Sequence, residues 1–233
     1  RLLAVNTLFD EDRIVSNFSN MDDLFLSTPM SRADNTASPL PQGPAADMPA
    51  NYAQWVIDRS VTAMVVLHDG QIVHEAYYQS TTPEDLRIAW SVSKSWLSAL
   101  FGILIDEGAI GSIDDPILQY VPALAGSAYD GASIKNVLQM SSGVVFDEDY
   151  FDYDSDINKM GRVLALGGSM DGFAAELDAT FAPAGQHWQY TSIDTHILGM
   201  VIRGATGRSL PDLMEEKVVG PLKLEADPYY LTD

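Results

Sequence analysis

The chain has 233 residues, 46% of them hydrophobic, which suits one large globular domain or two closely packed ones and excludes a disordered or collagen-like chain. Thirteen basic residues stand against 33 acidic ones, a formal net charge of −20, which argues against nucleic acid or anionic lipid as a partner because phosphate binding needs clustered Lys and Arg. The absence of cysteine removes thiol nucleophiles, disulfides and cysteine metal sites together, and no run reaches the roughly 18 apolar residues of a membrane span.

Residues 1–60 are rich in Asp, Asn, Ser and Pro. The stretch "STPMSRADNTASPLPQGPAADMP" reads as an irregular arm that could wrap a core without forming one. The opening "RLLAVNTLFD" has no initiator Met and no charged-then-apolar signal, so a removed leader or a trimmed start is compatible with it, and the compartment stays open between cytoplasm and periplasm. Next, "VTAMVVLHDGQIVHEAYY" gives two β-rich runs joined at Asp69-Gly70, a strong hairpin signal. From Ile88 onward the pattern turns helical. "RIAWSVSKSWLSALFGILIDEG", residues 87–108, predicts a helix with two serines and a lysine at its head, buried on most of its surface. "SIDDPILQYVP", "SIKNVLQMSSG", "DINKMGRVLALGG", "DTHILGMVIRGATG" and "SLPDLMEEKVVGPL" predict short helices, several with Ser or Asp placed as N-caps. The expected organisation is an arm over 1–60, the start of an α/β domain over 61–108, a helical domain over 109–205, and a return toward the α/β domain over 206–233. A lone hairpin is barely stable in water. Only "ADPYYLTD" at the end looks extended, so the sheet is expected to be completed by a remaining C-terminal part of the same protein or by a second chain.

Several chemistries find no support. His68, His74, His187 and His196 lack metal-ligand spacing, and alternation would put His68 and His74 on one hairpin face as a surface pair. No metal and no cofactor are expected. No G-x-S-x-G, P-loop or dinucleotide fingerprint occurs. The run "DEDYFDYDSD" at 147–156 lacks the central Gly of a calcium loop and reads as a solvated acidic loop. That leaves Ser91-Val92-Ser93-Lys94. Residues three apart share a helix face, so the Ser91 hydroxyl and the Lys94 amine can meet in the first turn, where unpaired N–H groups favour developing negative charge. Burial of Lys94 among Trp90, Trp96 and Leu97 would make a neutral amine available as a base. A capping serine followed by an ordinary exposed lysine is the alternative.

The segment "AWSVSKSWLSALFGILIDEGAIGSIDDPILQYVP" resembles the nucleophile helix and following segment of the serine β-lactamase and penicillin-binding-protein superfamily. With "PAGQHWQYTSIDTHILGMVI" and "IKNVLQMSSGVVFDEDY" it is most similar to the class C-like branch of 6-aminohexanoate-dimer hydrolases and related esterases, over about residues 60–225. The resemblance implies an α/β (α+β) fold, an antiparallel sheet flanked by helices plus a helical domain. It also implies Ser91 as nucleophile, Lys94 as base and Tyr190 as general acid-base in acyl transfer to and from a small ester or amide. Tyr150 resembles a tyrosine that reaches the substrate amide, a packed loop tyrosine being the alternative; the small Ser192 hydroxyl beside Tyr190 would leave room for a flexible acyl chain, and Trp188 and Tyr150 would line that chain's path. Two departures matter. The Asn of the superfamily's Y-x-N motif is Ser192 here, which weakens the fit to β-lactams, and the third motif, a K-T-G or H-x-G on an edge strand beyond the helical domain, does not occur between Tyr190 and Asp233. The other readings are a β-lactamase or D-alanyl-D-alanine carboxypeptidase-like enzyme, or a non-catalytic penicillin-binding-like module of the same fold.

Overall fold

The computed structural model describes residue 3, residues 6–32 and residues 36–232. The arm is more ordered than its composition suggests. Short helices α1 (Ile14–Ser19) and α2 (Met21–Leu24) lead into strand β1 (Ser27–Pro29), which pairs antiparallel with Tyr229–Leu231 near the other end of the chain. A three-residue strand carries no periodicity, so β1 could not be read locally, whereas its partner lies within the C-terminal stretch expected to be extended. Further along, Gln42 bridges Ile72 in parallel; Gly43 N donates to Ile72 O at 2.8 Å and Ile72 N to Pro41 O at 2.8 Å. The arm thus supplies pairing to the hairpin edge that the sequence alone left bare.

After α3 (Tyr52–Asp58) comes the hairpin, β2 (Ala63–His68) and β3 (Gln71–Tyr77). Its turn residues Asp69 and Gly70 take φ of +49° and +73°, the left-handed pair that a two-residue turn requires. A register irregularity lies between Val66 and Leu67, where β3 carries one extra residue, with His74 opposite Val66 and His68 opposite Gln71. His74 Nε2 lies 2.8 Å from the Tyr52 hydroxyl, whereas His68 stands in solvent.

A single large core gathers the helices. α4 (Ser93–Asp106) buries Leu97, Leu100, Phe101 and Leu104, an i, i+3, i+4, i+7 stripe in which each side chain contributes about 1.5–3 kcal/mol. Its other face, with Ser95, Ser98, Ala99 and Gly102, is exposed, so this helix is buried along one stripe rather than over most of its surface. α5 (Ile117–Tyr120) and α6 (Ile134–Leu138) follow, the latter started by a reciprocal cap between Ser133 and Asn136. α7 (Asp156–Leu166) and α8 (Met170–Ala175) each begin on a capping serine, Ser155 and Ser169. α9 (Ser192–Thr206) runs through the centre, burying Ile193, Ile197, Leu198, Val201 and Ile202 against α5, α6 and α8. A Cβ on Gly204 would lie 2.0 Å from the Tyr120 carbonyl oxygen, so α9 and α5 approach more closely than a larger residue permits. α10 (Leu210–Met214) passes into a wide π turn over Glu215–Val219, then α11 (Gly220–Leu222) and β4 (Tyr229–Leu231). The result is the mixed α/β class expected, with small antiparallel sheets and a helical body. Among the described residues no helix is long and apolar enough to cross a membrane.

Candidate active site

The chain enters α4 through a short 3-10 turn, Trp90–Val92. Trp90 has φ of +44°, an outlier for a bulky side chain that costs on the order of 1–3 kcal/mol and persists only where its surroundings impose it. Ser93 Oγ donates to the Trp90 carbonyl at 2.6 Å and ties the turn to the helix. Ser91 follows Trp90 directly and is exposed; one turn on, Lys94 Nζ donates to Ser91 Oγ at 3.2 Å. The three-residue spacing therefore brings hydroxyl and amine together. The expected burial of Lys94 is only partial. Leu97 turns into the core, but Trp90 is 45% exposed because its ring packs on Phe9 and Phe18 of the arm, so Lys94 is left half-buried.

Tyr190 arrives from a loop with no regular structure of its own. Three backbone bonds lay that loop along residues 140–143: Phe181 N to Gly143 O at 2.9 Å, Gly185 N to Ser141 O at 2.7 Å and Gln189 N to Met140 O at 3.0 Å. The Tyr190 hydroxyl donates to Ser91 Oγ at 2.7 Å, and Lys94 Nζ sits 5.4 Å from the centre of its ring. The Ser91 oxygen is thus contacted by an amine three residues on and by a phenol 99 residues away.

Of the remaining predicted residues, Ser192 lies beside this trio. Its backbone N–H donates to the Glu148 carboxylate, and Tyr150 reaches the same pair, with burial and the nearby Glu148 charge holding the Tyr150 phenol above its ordinary range. Trp188, 71% exposed, joins none of Ser91, Lys94 or Tyr190 by a hydrogen bond or ring contact. The acidic run is not wholly solvated, contrary to its composition. Glu148 is half-buried against the start of α9, and the loop winds around Asn158, whose Nδ2 donates to the carbonyls of Asp149, Tyr150 and Asp152 at 3.4, 3.1 and 2.8 Å. Asp147, Asp149 and Asp152 take part in local turns, the last two by accepting backbone N–H bonds from Phe151 and Asp154. Among the described residues no cluster of His, Asp and Glu has the form of a metal site.

Two acidic residues escaped sequence reasoning. Glu148 was hidden within a run that reads as solvated surface. Asp194, in the first turn of α9, is fully buried and accepts a 2.8 Å hydrogen bond from the equally buried Tyr129. Burial lifts its carboxyl to about 7, against the hydrogen bonds it accepts, and the Glu148 charge pushes the same way. An aspartate at an apolar helix position was the signal available, four residues beyond Tyr190.

Comparison with known proteins joins this geometry to a family. Over 220 residues the chain is 29% identical to a 6-aminohexanoate-dimer hydrolase of Paenarthrobacter ureafaciens, an alignment covering 92% of this chain and 54% of that protein. The chain therefore spans about half the length of this curated relative. A solved Bacillus anthracis structure, whose assignment as a 6-aminohexanoate-dimer hydrolase is itself provisional, superposes with a TM-score of 0.81 at 18% identity over 97% of this chain and 63% of that one. The octameric penicillin-binding protein homologue of Pyrococcus abyssi matches with a TM-score of 0.59 at 21% identity, over 72% of this chain and 41% of that one. These two structures share the fold. Since the family model described as Beta-lactamase matches residues 52–230, most of its length, the chain belongs to the Beta-lactamase family.

Proposed function

We propose that the protein to which this chain belongs is a serine hydrolase that cleaves small esters or amides through an acyl-enzyme intermediate. The observation that carries the reading is the contact of Ser91 Oγ with Lys94 Nζ at 3.2 Å and with the Tyr190 hydroxyl at 2.7 Å. The Lys94 amine accepts the Ser91 proton, directly or through Tyr190, as Oγ bonds to the carbonyl carbon. The tetrahedral oxyanion is stabilised by the Ser91 N–H at the head of α4, as one of its donors. Tyr190 then protonates the leaving oxygen or nitrogen as the C–O or C–N bond breaks and regains a proton from Lys94, after which water, losing its proton to Lys94 by the same route, attacks the acyl carbon and releases the acid as Ser91 Oγ takes that proton back.

For the substrate, similarity to a 6-aminohexanoate-dimer hydrolase favours linear amides and esters over β-lactams. Ser192 where lactamases hold substrate with Asn, together with a net charge of −20 that repels anionic ligands, supports the same preference. On this reading Tyr150, beside Ser192 and Glu148, would meet the substrate's amide, and exposed Trp188 a flexible chain. The hairpin and the exposed face of α4 favour a whole protein in which further chain completes the sheet.

The test uses the complete protein. Intact mass after fluorophosphonate treatment should show one adduct, located to Ser91, lost in Ser91→Ala and retained in Ser93→Ala. On unlabelled enzyme, kcat/KM at one ionic strength should favour short-chain p-nitrophenyl esters or linear aminoacyl amides over benzylpenicillin. An adduct on Ser93, or a clear preference for the penicillin, overturns the corresponding half of the proposal.

A further inference from the structure

Among the described residues Trp90 is the one aromatic residue with φ in the left-handed region, and it immediately precedes Ser91. Its ring stacks on Phe9 with centroids 5.7 Å apart and planes 20° apart, and meets Phe18 edge-on at 5.4 Å and 66°. Phe9 and Phe18 contact each other at 5.8 Å, which closes a three-ring cluster. The backbone is tied at the same place, since Ile88 N donates to Phe18 O at 2.9 Å and Arg87 Nη1 to Val15 O at 2.7 Å. The arm segment is anchored in turn by Leu8, Met21 and Phe25, which form a small buried cluster with Tyr229 and Leu231 packed against it.

Burial does not explain the cluster. Phe9 stays 58% and Trp90 45% exposed, so the rings gain little as core, while their geometry fixes a side chain whose backbone is in an unfavourable conformation. A tryptophan freed from both rings relaxes toward negative φ, and the rotation swings Ser91 relative to Lys94 and Tyr190. We infer that the N-terminal arm is a positioning element for the reaction, with Phe9 and Phe18 clamping Trp90 so that Ser91 Oγ stays within reach of Lys94 and Tyr190. The inference rests on Ser91 being the nucleophile.

The experiment is a double-mutant cycle in the complete protein, read as kcat and KM on a p-nitrophenyl ester and as the rate of fluorophosphonate labelling, with far-UV circular dichroism on each variant. Phe9→Ala should lower kcat and labelling about tenfold or more at nearly constant KM, because misplacement of a reacting group is felt in the chemical step. Phe9→Leu, which keeps an apolar contact, should recover most of the loss. In a Trp90→Ala background, Phe9→Ala should cost nothing further, since the clamp has nothing left to hold. Trp90→Gly should retain several-fold more activity than Trp90→Ala, because glycine takes positive φ without a Cβ penalty. Four results overturn the clamp: unchanged kcat in Phe9→Ala, no recovery in Phe9→Leu, an equal cost of Phe9→Ala with and without the Trp90 ring, or Trp90→Ala outperforming Trp90→Gly. Ser91→Ala run in parallel separates the two claims. Persistent labelling of that variant sinks the nucleophile, whereas its loss alongside any of those four results sinks only the clamp.

Discussion

Asp194 offers a test of the fold that does not depend on turnover. Its carboxyl is fully buried under Tyr129 and titrates near 7 rather than at its ordinary 3.8. The folded chain therefore keeps a proton that the unfolded chain has already released between about pH 4 and pH 7. Stability falls as pH rises through that window and levels off above it. Three units at 1.36 kcal/mol each make about 4 kcal/mol across the whole window, of which the two units between pH 5 and 7 carry about 2.7 kcal/mol. Asp194→Asn removes the titration while keeping an oxygen for Tyr129. The Asn amide brings two donors of its own, so the informative quantity is how the difference from wild type changes with pH. Urea unfolding at pH 5, 6, 7 and 8 should show the variant gaining about 2–3 kcal/mol relative to wild type across the series. The gain should shrink when Glu148 is Gln, because the Glu148 charge helps hold the proton on. A difference that stays flat from pH 5 to 8 refutes the buried, neutral Asp194.

Two further expectations follow from contacts already described. Tyr190→Phe removes the hydroxyl bonded to Ser91 Oγ, and Lys94→Arg keeps the charge but cannot deprotonate near neutrality, so each should lower kcat about 10²-fold or more with unchanged circular dichroism; near-normal rates in both would remove the trio from the chemistry. Gly161 in α7 has open space around a Cβ, whereas Gly204 in α9 has the Tyr120 carbonyl at 2.0 Å. Thermal unfolding should thus rank Gly161→Ala above wild type by about 0.5–1 kcal/mol and Gly204→Ala below it by about 1–3 kcal/mol; the reverse order would mean that α9 and α5 do not pack as described.

What the sequence disclosed about the fold follows the reach of each physical signal. The Asp69-Gly70 turn is dictated by two adjacent residues, and both take the positive φ that a tight hairpin demands. Leu97, Leu100, Phe101 and Leu104 state their shared face by spacing, and Ser133, Ser155, Ser169 and Ser209 cap helices within three residues of themselves. The arm failed as a local reading because its order comes from elsewhere. Ser27–Pro29 is a strand only through Tyr229–Leu231, and Gln42 is ordered by Ile72. The irregularity after Val66 is likewise a pairing event, invisible to strict alternation.

The candidate site divides along the same line. Ser91 and Lys94 declare their proximity through helical spacing alone, and the resemblance supplied Tyr190, which no local rule would single out. The supports were illegible because each joins segments that composition assigns to different roles. Glu148 belongs to a run whose charge reads as solvated surface, yet it accepts the Ser192 N–H beside Tyr190. Trp90 reads as a core residue of its helix, yet its ring leaves the core for Phe9 and Phe18, and Lys94 loses the apolar cover expected of it. Asp194 holds a core position on a helix that packs α5, α6 and α8 together, so the segment that delivers Tyr190 leads straight into the tightest part of the fold. A motif can specify which groups react, because reactivity is a property of side chains. The 2.7 Å contact between Tyr190 and Ser91 joins α4 to the loop before α9 across 99 residues of chain, a distance at which single-segment patterns carry no information.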